Sequence, residues 1–152
     1  MANARTVTRR QAFALTLGAV AVPAVVRAAT TERLTFDTLY SSRSALGLEF
    51  SELVRSLDGR PVSMRGFMAP PLATTGRFFV LTRSPVALCP FCSSDTDWPD
   101  DIVVVYLNAA QPFVQFNRVI DVEGVLSRGS WTDPQTGFVS LLRIVDARFS
   151  LV

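Results

Sequence analysis

The chain has 152 residues, of which 15 are basic and 13 acidic for a formal net charge of +2, and 49% are hydrophobic. It contains no histidine, and every basic residue is an arginine. Without histidine there is no Ser-His-Asp or Cys-His pair, no imidazole base near neutral pH and no mixed Cys/His zinc site. Without lysine there is no Schiff-base nucleophile and no Walker-type phosphate clamp. Composition alone excludes most familiar enzyme designs.

Residues 1–28 have the three-part layout of a signal peptide: Arg5, Arg9 and Arg10, then an apolar stretch from Ala12 to Val26, then the small-residue end Val26-Arg27-Ala28-Ala29. The apolar stretch is about 15 residues long and interrupted by Pro23, whereas a membrane-crossing helix needs about 20. Cleavage rather than retention is therefore expected, with no membrane span left afterwards. Thr8-Arg9-Arg10-Gln11-Ala12-Phe13 resembles the twin-arginine export motif, although Ala12 stands where that pattern usually has a large apolar residue. The general secretory route is the alternative. The small-residue rule favours a cut after Ala28, with Ala29 next.

Removal of this segment changes the charge argument. Arg5, Arg9, Arg10 and Arg27 leave with it, so the 15 basic residues fall by four to 11 against 13 acidic ones, a balance of −2. The basic excess belongs to the targeting segment, and nucleic acid is not an expected partner. Residues 29–152 are the size of one domain with one core.

Along that domain, Leu34 to Tyr40 fits either a short strand or a helical turn. Phe50, Leu53, Val54 and Leu57 fall on one helical face, Ser51 can cap its start and Gly59 can end it, so a helix is expected at Ser51 to Asp58. From Arg60 onward, β-branched and aromatic runs alternate with turn residues. The expected strands are Val62–Met68, Arg77–Thr82, Ile102–Leu107, Val119–Leu126 and Phe138–Val145, with Arg148–Val152 as a sixth candidate. Ile102-Val103-Val104-Val105 is continuously apolar and so should be covered on both faces. In the fourth run Asp121 and Glu123 should point away from Ile120 and Val122. Asp133-Pro134-Gln135-Thr136-Gly137 reads as a hairpin turn. No helical crossovers separate the runs, which argues for a mainly β fold, a small OB-like barrel of five or six strands with one short helix before the first barrel strand.

Both cysteines lie in one loop, Ser84 to Asp101, between the second and third runs, with three prolines and four carboxylates around them. Four readings compete for Cys89-Pro90-Phe91-Cys92, one of them a pair of free thiols that simply pack. A structural disulfide suits an oxidising compartment. A metal site would use Cys89 and Cys92 as thiolates with Asp95 or Asp97 completing the shell, around zinc or another thiophilic ion. A redox pair would resemble the glutaredoxin motif, with Cys89 attacking and Cys92 resolving. That family sets its motif at a helix start after the first strand of a βαβ unit, unlike this late loop. Asp95 and Asp97 would also raise the Cys89 pKa unless Arg83 offsets them. Trp98, Trp131, Phe67, Phe78, Phe79, Tyr106, Phe113 and Phe116 are read as core and groove lining rather than base-stacking groups. Met64 and Met68 are read as barrel core rather than copper ligands. Asp100 and Asp101 are read as solvated carboxylates at a strand start.

The run Asp58 to Pro71 with its G-x-x-V-x-M-x-G-F-M opening, the segment Phe78-Phe79-Val80-Leu81 and the loop Leu88-Cys89-Pro90-Phe91-Cys92 together resemble an uncharacterised family of small exported bacterial proteins, over roughly Phe50 to Ala147. The resemblance implies association with ABC-transporter systems, some linked to metal handling. The expected protein is thus a periplasmic accessory or binding protein that handles a thiophilic metal through Cys89, Cys92, Asp95 and Asp97 for a transport system or another periplasmic protein. The alternatives are a thiol-disulfide oxidoreductase and a structural interaction domain with a loop disulfide.

Overall fold

In the computed structural model, residues 30–44, 47–70, 77–86 and 99–152 are described. Their elements are β1 (Glu32–Leu34), β2 (Tyr40–Ser44), β3 (Gly47–Phe50), α1 (Glu52–Leu57), β4 (Pro61–Met68), β5 (Phe78–Thr82), β6 (Ile102–Leu107), β7 (Val119–Thr132) and β8 (Val139–Leu151), with one 3-10 turn at Phe36–Thr38. The ambiguous Leu34–Tyr40 segment is therefore both things in succession: the end of a strand, a helical turn, and the start of a second strand.

Five strands close a ring. The sheet order β4-β5-β6-β8-β7 is completed by pairing of β7 back onto β4. All neighbours are antiparallel except β6 and β8, which run parallel. Numbered as barrel strands one to five, the order one-two-three-five-four-one is the Greek-key connectivity of a small OB-like barrel, as the strand spacing predicts. β1 adds in parallel to the N-terminal half of β4, with Glu32 opposite Val62 and Leu34 opposite Met64.

The alternation read from the sequence is the one that packs. Val62, Met64 and Met68 from β4, Phe79 and Leu81 from β5, Val103 and Val105 from β6, Ile120, Val122 and Leu126 from β7, and Leu142 and Ile144 from β8 share one core. Met64 and Met68 are each 1% exposed within it. Val54 and Leu57 of α1 close the same core, with Phe50 and Leu53 packed against it. The Ser51 hydroxyl accepts from the Val54 N–H at 3.2 Å, the N-cap that holds the helix start.

β6 is buried on both faces, and a second cluster explains how. Ile102 and Val104 point outward with Ala69, Phe78 and Val80, covered by Tyr40, Leu48, Val86, Phe138 and Leu141. Tyr40 and Leu48 come from the β2–β3 hairpin, which the sequence reading did not anticipate: its Ser-Ser-Arg-Ser strand is polar and short, with no apolar alternation to mark it. The hairpin lies over the outer face of β5–β6.

β7 and β8 run further than expected, to Thr132 and from Val139 to Leu151. The separate fifth and sixth candidate strands are one strand interrupted by a bulge: Val145 pairs with Val125, Arg148 pairs with Glu123, and Asp146 adopts φ 49° between them. Gly124 sits opposite this bulge, where a Cβ would lie 2.6 Å from the Val145 carbonyl oxygen and 3.0 Å from Ala147 Cα. Only glycine allows the two strands to approach there. Phe113 and Phe116, expected in the core or a groove, lie on the β6–β7 connection and are 37% and 42% exposed.

Candidate functional site

Among the described residues a cleft of about 310 Å³ lies at the end of the outer β5–β6 face. Phe78 of β5, Tyr106 and Leu107 of β6, Trp131 of β7 and Asp133 to Thr136 of the β7–β8 turn line it, with Arg77 at its edge.

Each wall has a local cause. Phe78 and Tyr106 are cross-strand partners whose rings stack at 5.5 Å. The turn is built as its sequence requires. Gly137 takes φ 73°, and its N–H donates to the Asp133 carbonyl at 2.8 Å. The Asp133 side chain organises the tip: Oδ1 accepts from the Gln135 N–H at 2.8 Å and the Thr136 N–H at 3.3 Å, while Oδ2 accepts from the Tyr106 hydroxyl at 3.1 Å. Burial first, then this bond and the Asp133 charge, push the Tyr106 phenol well above its ordinary pKa of 10.0.

Behind the cleft lies a buried cation. Arg143 is 7% exposed and donates from Nη1 to the carbonyls of Gly129 at 2.8 Å and Ser140 at 2.9 Å and to the Ser140 hydroxyl at 3.2 Å, and from Nη2 to the Ser127 hydroxyl at 3.0 Å. All four bonds go to neutral oxygens. Desolvation therefore holds the guanidinium below its usual pKa, although it remains charged at neutral pH. Its carbon lies 5.5 Å from the Trp131 ring centre, and the Tyr106 ring meets the same indole edge-on at 5.3 Å. A second bulge, between Arg128 and Trp131 with Gly129 at φ 102°, aims the Gly129 carbonyl at Arg143.

Cys89, Cys92, Asp95 and Asp97, the candidate metal or redox residues, lie outside the described residues, as does Trp98. Among the described residues no three carboxylates or cysteines gather as a metal site would require. The two ends of the cysteine loop are described. Thr82 pairs with Ile102, and the Arg83 N–H donates to the Asp101 carbonyl at 3.0 Å. The Arg83 side chain is bonded to Asp37 and lies 5.7 Å over the Phe36 ring. Arg83 is thus engaged at the base of the loop, and Asp100 pairs loosely with Arg43 of the hairpin at 3.8 Å.

In the sequence Tyr106 and Trp131 are recognisable as aromatic lining and Asp133 as a turn residue, but nothing local joins them. Arg143 is not marked by any motif. The available signal was an arginine in the middle of an apolar strand, Leu141-Leu142-Arg143-Ile144-Val145, where an unpaired charge is costly and so usually has a reason.

The chain is therefore a small OB-like β-barrel with a half-aromatic cleft beside its β7–β8 turn. Among solved structures its fold is similar to that of a DUF3299 family protein from Pseudomonas aeruginosa PAO1, with a TM-score of 0.54 and 12% sequence identity over 81% of this chain and 97% of that one. At that identity the likeness concerns the fold: an uncharacterised domain family uses the same architecture. No protein-family model matches the chain, and no curated protein gives a significant match.

Proposed function

We propose that the mature chain is an exported binding or accessory protein of the periplasm rather than an enzyme. The observation that carries this reading is the engagement of the polar groups at the cleft. The Asp133 carboxylate already accepts three internal hydrogen bonds, and Tyr106 is held protonated by burial and by that carboxylate. Neither is free to serve as base or nucleophile at neutral pH, while Trp131, Phe78 and Arg77 offer surface for contact. Residues 1–28 supply the export half of the reading, with a mature terminus at Ala29.

Two measurements test it. N-terminal sequencing of protein recovered from a periplasmic extract should begin at Ala29; recovery of the uncut chain from cytoplasm would overturn the localisation. Amide and indole NMR spectra titrated with a small-molecule fragment library should show perturbations at Arg77, Tyr106, Trp131 and Asp133 without turnover. Turnover of any probe that is lost in Tyr106→Phe would make the protein an enzyme.

A second reading is kept because the cysteine loop springs from a pinned base at Arg83 and Asp101. In it Cys89 and Cys92, with Asp95 and Asp97, hold zinc or another thiophilic metal on behalf of a transport system. Protein purified without chelator or reductant should then carry stoichiometric metal with both thiols protected. A metal-free disulfide would leave the oxidoreductase and the structural loop, which the reduction potential separates.

A further inference from the structure

We infer that the ligand of the Tyr106–Trp131–Asp133 cleft is an acidic saccharide, a sugar ring resting against Trp131 with its carboxylate on Arg77. This rests on the reading of the cleft as a binding site.

The charge balance of the walls selects against cations. Asp133 is 7% exposed and its carboxylate is saturated by Tyr106, Gln135 and Thr136. The lining sets against that one engaged anion a single cation, Arg77, whose guanidinium is exposed and without a hydrogen-bond or ion-pair partner among the described residues, while Arg143 stands behind the wall over the indole. A guanidinium against one face of an indole also draws on the ring's electron density, which weakens its attraction for a second cation. An amine or quaternary ammonium ligand would therefore meet repulsion, whereas a carboxylate would find in Arg77 a planar, two-pronged donor.

The shape and chemistry of the remaining walls select the body of the ligand. Trp131 is 40% exposed, a large flat apolar surface with the Tyr106 ring perpendicular to it and Arg143 over its ring. Around it stand Phe78, Leu107 and Pro134, with the side chains of Gln135 and Thr136 at the rim. Sugar rings suit such a surface: their C–H faces pack on aromatic rings while their hydroxyls exchange hydrogen bonds with amide, hydroxyl and guanidinium groups around the edge. The cleft's volume, about 310 Å³, accommodates one or two pyranose rings and is open to a longer chain. Its place beside the second and third barrel strands and the fourth-to-fifth strand loop is also where OB-like barrels receive extended polar ligands.

The test uses the mature protein, indole and amide NMR, and three probes: a galacturonic acid oligosaccharide, the neutral galactose oligosaccharide of equal length, and 4-hydroxybenzoate as a non-sugar aromatic acid. The expected result is saturable perturbation of the Trp131 indole N–H and Asp133 to Thr136 by the acidic oligosaccharide, with at least tenfold weaker binding of the neutral one. Arg77→Gln, a surface change that leaves the fold intact, should lower acidic-sugar affinity about tenfold and abolish the preference over the neutral sugar. Trp131→Ala should abolish both. Equal affinity for the two sugars in wild type and Arg77→Gln would overturn the acidic assignment. Binding of 4-hydroxybenzoate alone would overturn the saccharide and leave the cleft a binding site. Silence of the cleft toward all three and toward the fragment library would overturn both readings.

Discussion

The Tyr106 hydroxyl donates to Asp133 Oδ2 at 3.1 Å, a bond across 27 residues that ties the C-terminal end of β6 to the β7–β8 turn. Because the same carboxylate also caps the turn through Gln135 and Thr136, one side chain fixes both the hairpin's shape and its position over β6. Tyr106→Phe should therefore destabilise the fold by about 1 kcal/mol in urea unfolding. Amide exchange at Gln135 and Thr136 should rise more than elsewhere.

The same residue gives an alkaline signature. Its folded pKa is raised, so its stabilising contribution is complete below the unfolded value near 10.0 and is lost as pH rises beyond it, where the unfolded chain releases the proton first. The chain has no lysine to titrate in that range. Wild-type stability should fall progressively as pH rises above about 10, and the fall should be smaller in Tyr106→Phe. Parallel curves for the two proteins would show that Tyr106 ionises as easily folded as unfolded.

Asp121 joins three adjacent strands. It accepts from Arg65 Nη2 at 2.6 Å and Nε at 2.9 Å and from Arg33 Nη2 at 3.0 Å. The Arg65 hydrogen bonds hold its carboxyl below the usual carboxylate range; burial opposes them, and the Arg65 and Arg33 charges and the Arg33 hydrogen bond add to the lowering. Its contribution is present above the unfolded pKa, near 3.8, and disappears as pH falls through the lower folded value. Asp121→Asn should be less stable than wild type at pH 7, with the gap closing in acid and shrinking in high salt. A gap that persists at pH 2 would assign the loss to packing.

Arg143→Lys keeps the charge but cannot make the four hydrogen bonds of the guanidinium fork. We expect a loss of about 2 kcal/mol, measured by chemical denaturation, together with a shift in Trp131 fluorescence as the cation leaves the ring face.

Gly124→Ala should cost about 1–3 kcal/mol, since its Cβ would collide with the Val145 carbonyl oxygen and Ile144 Cγ2, the latter at 2.7 Å. The damage should centre on the β7–β8 pairing, visible as faster exchange of Glu123 and Arg148. Gly66→Ala, with 2.7 Å to the Thr82 carbonyl oxygen, should do the same to the β4–β5 junction.

The barrel was legible because its strands obey a local rule. Alternation in Val62–Met68 and Val119–Leu126, the all-apolar Ile102–Val105 and the Asp-Pro-Gln-Thr-Gly turn each carry their fate in neighbouring residues. The β2–β3 hairpin was not legible, because the outer cluster that Tyr40 and Leu48 cover is built largely by strands β5 and β6, far along the chain. Nor was the continuity of β8, since the break at Asp146 is a bulge that depends on Gly124 in another strand.

By itself the sequence determined the absence of histidine and lysine chemistry, the mainly β fold and the identity of its core faces, all of which follow from composition and short-range periodicity. Only the tertiary structure decided that Arg77, Tyr106, Trp131 and Asp133 line one cleft with Arg143 behind it, because residues so far apart in the chain come together only when β5, β6, β7 and β8 close around a common core. A strand pattern says which side of a sheet a residue faces; ring closure and two bulges say which other residues it will meet there.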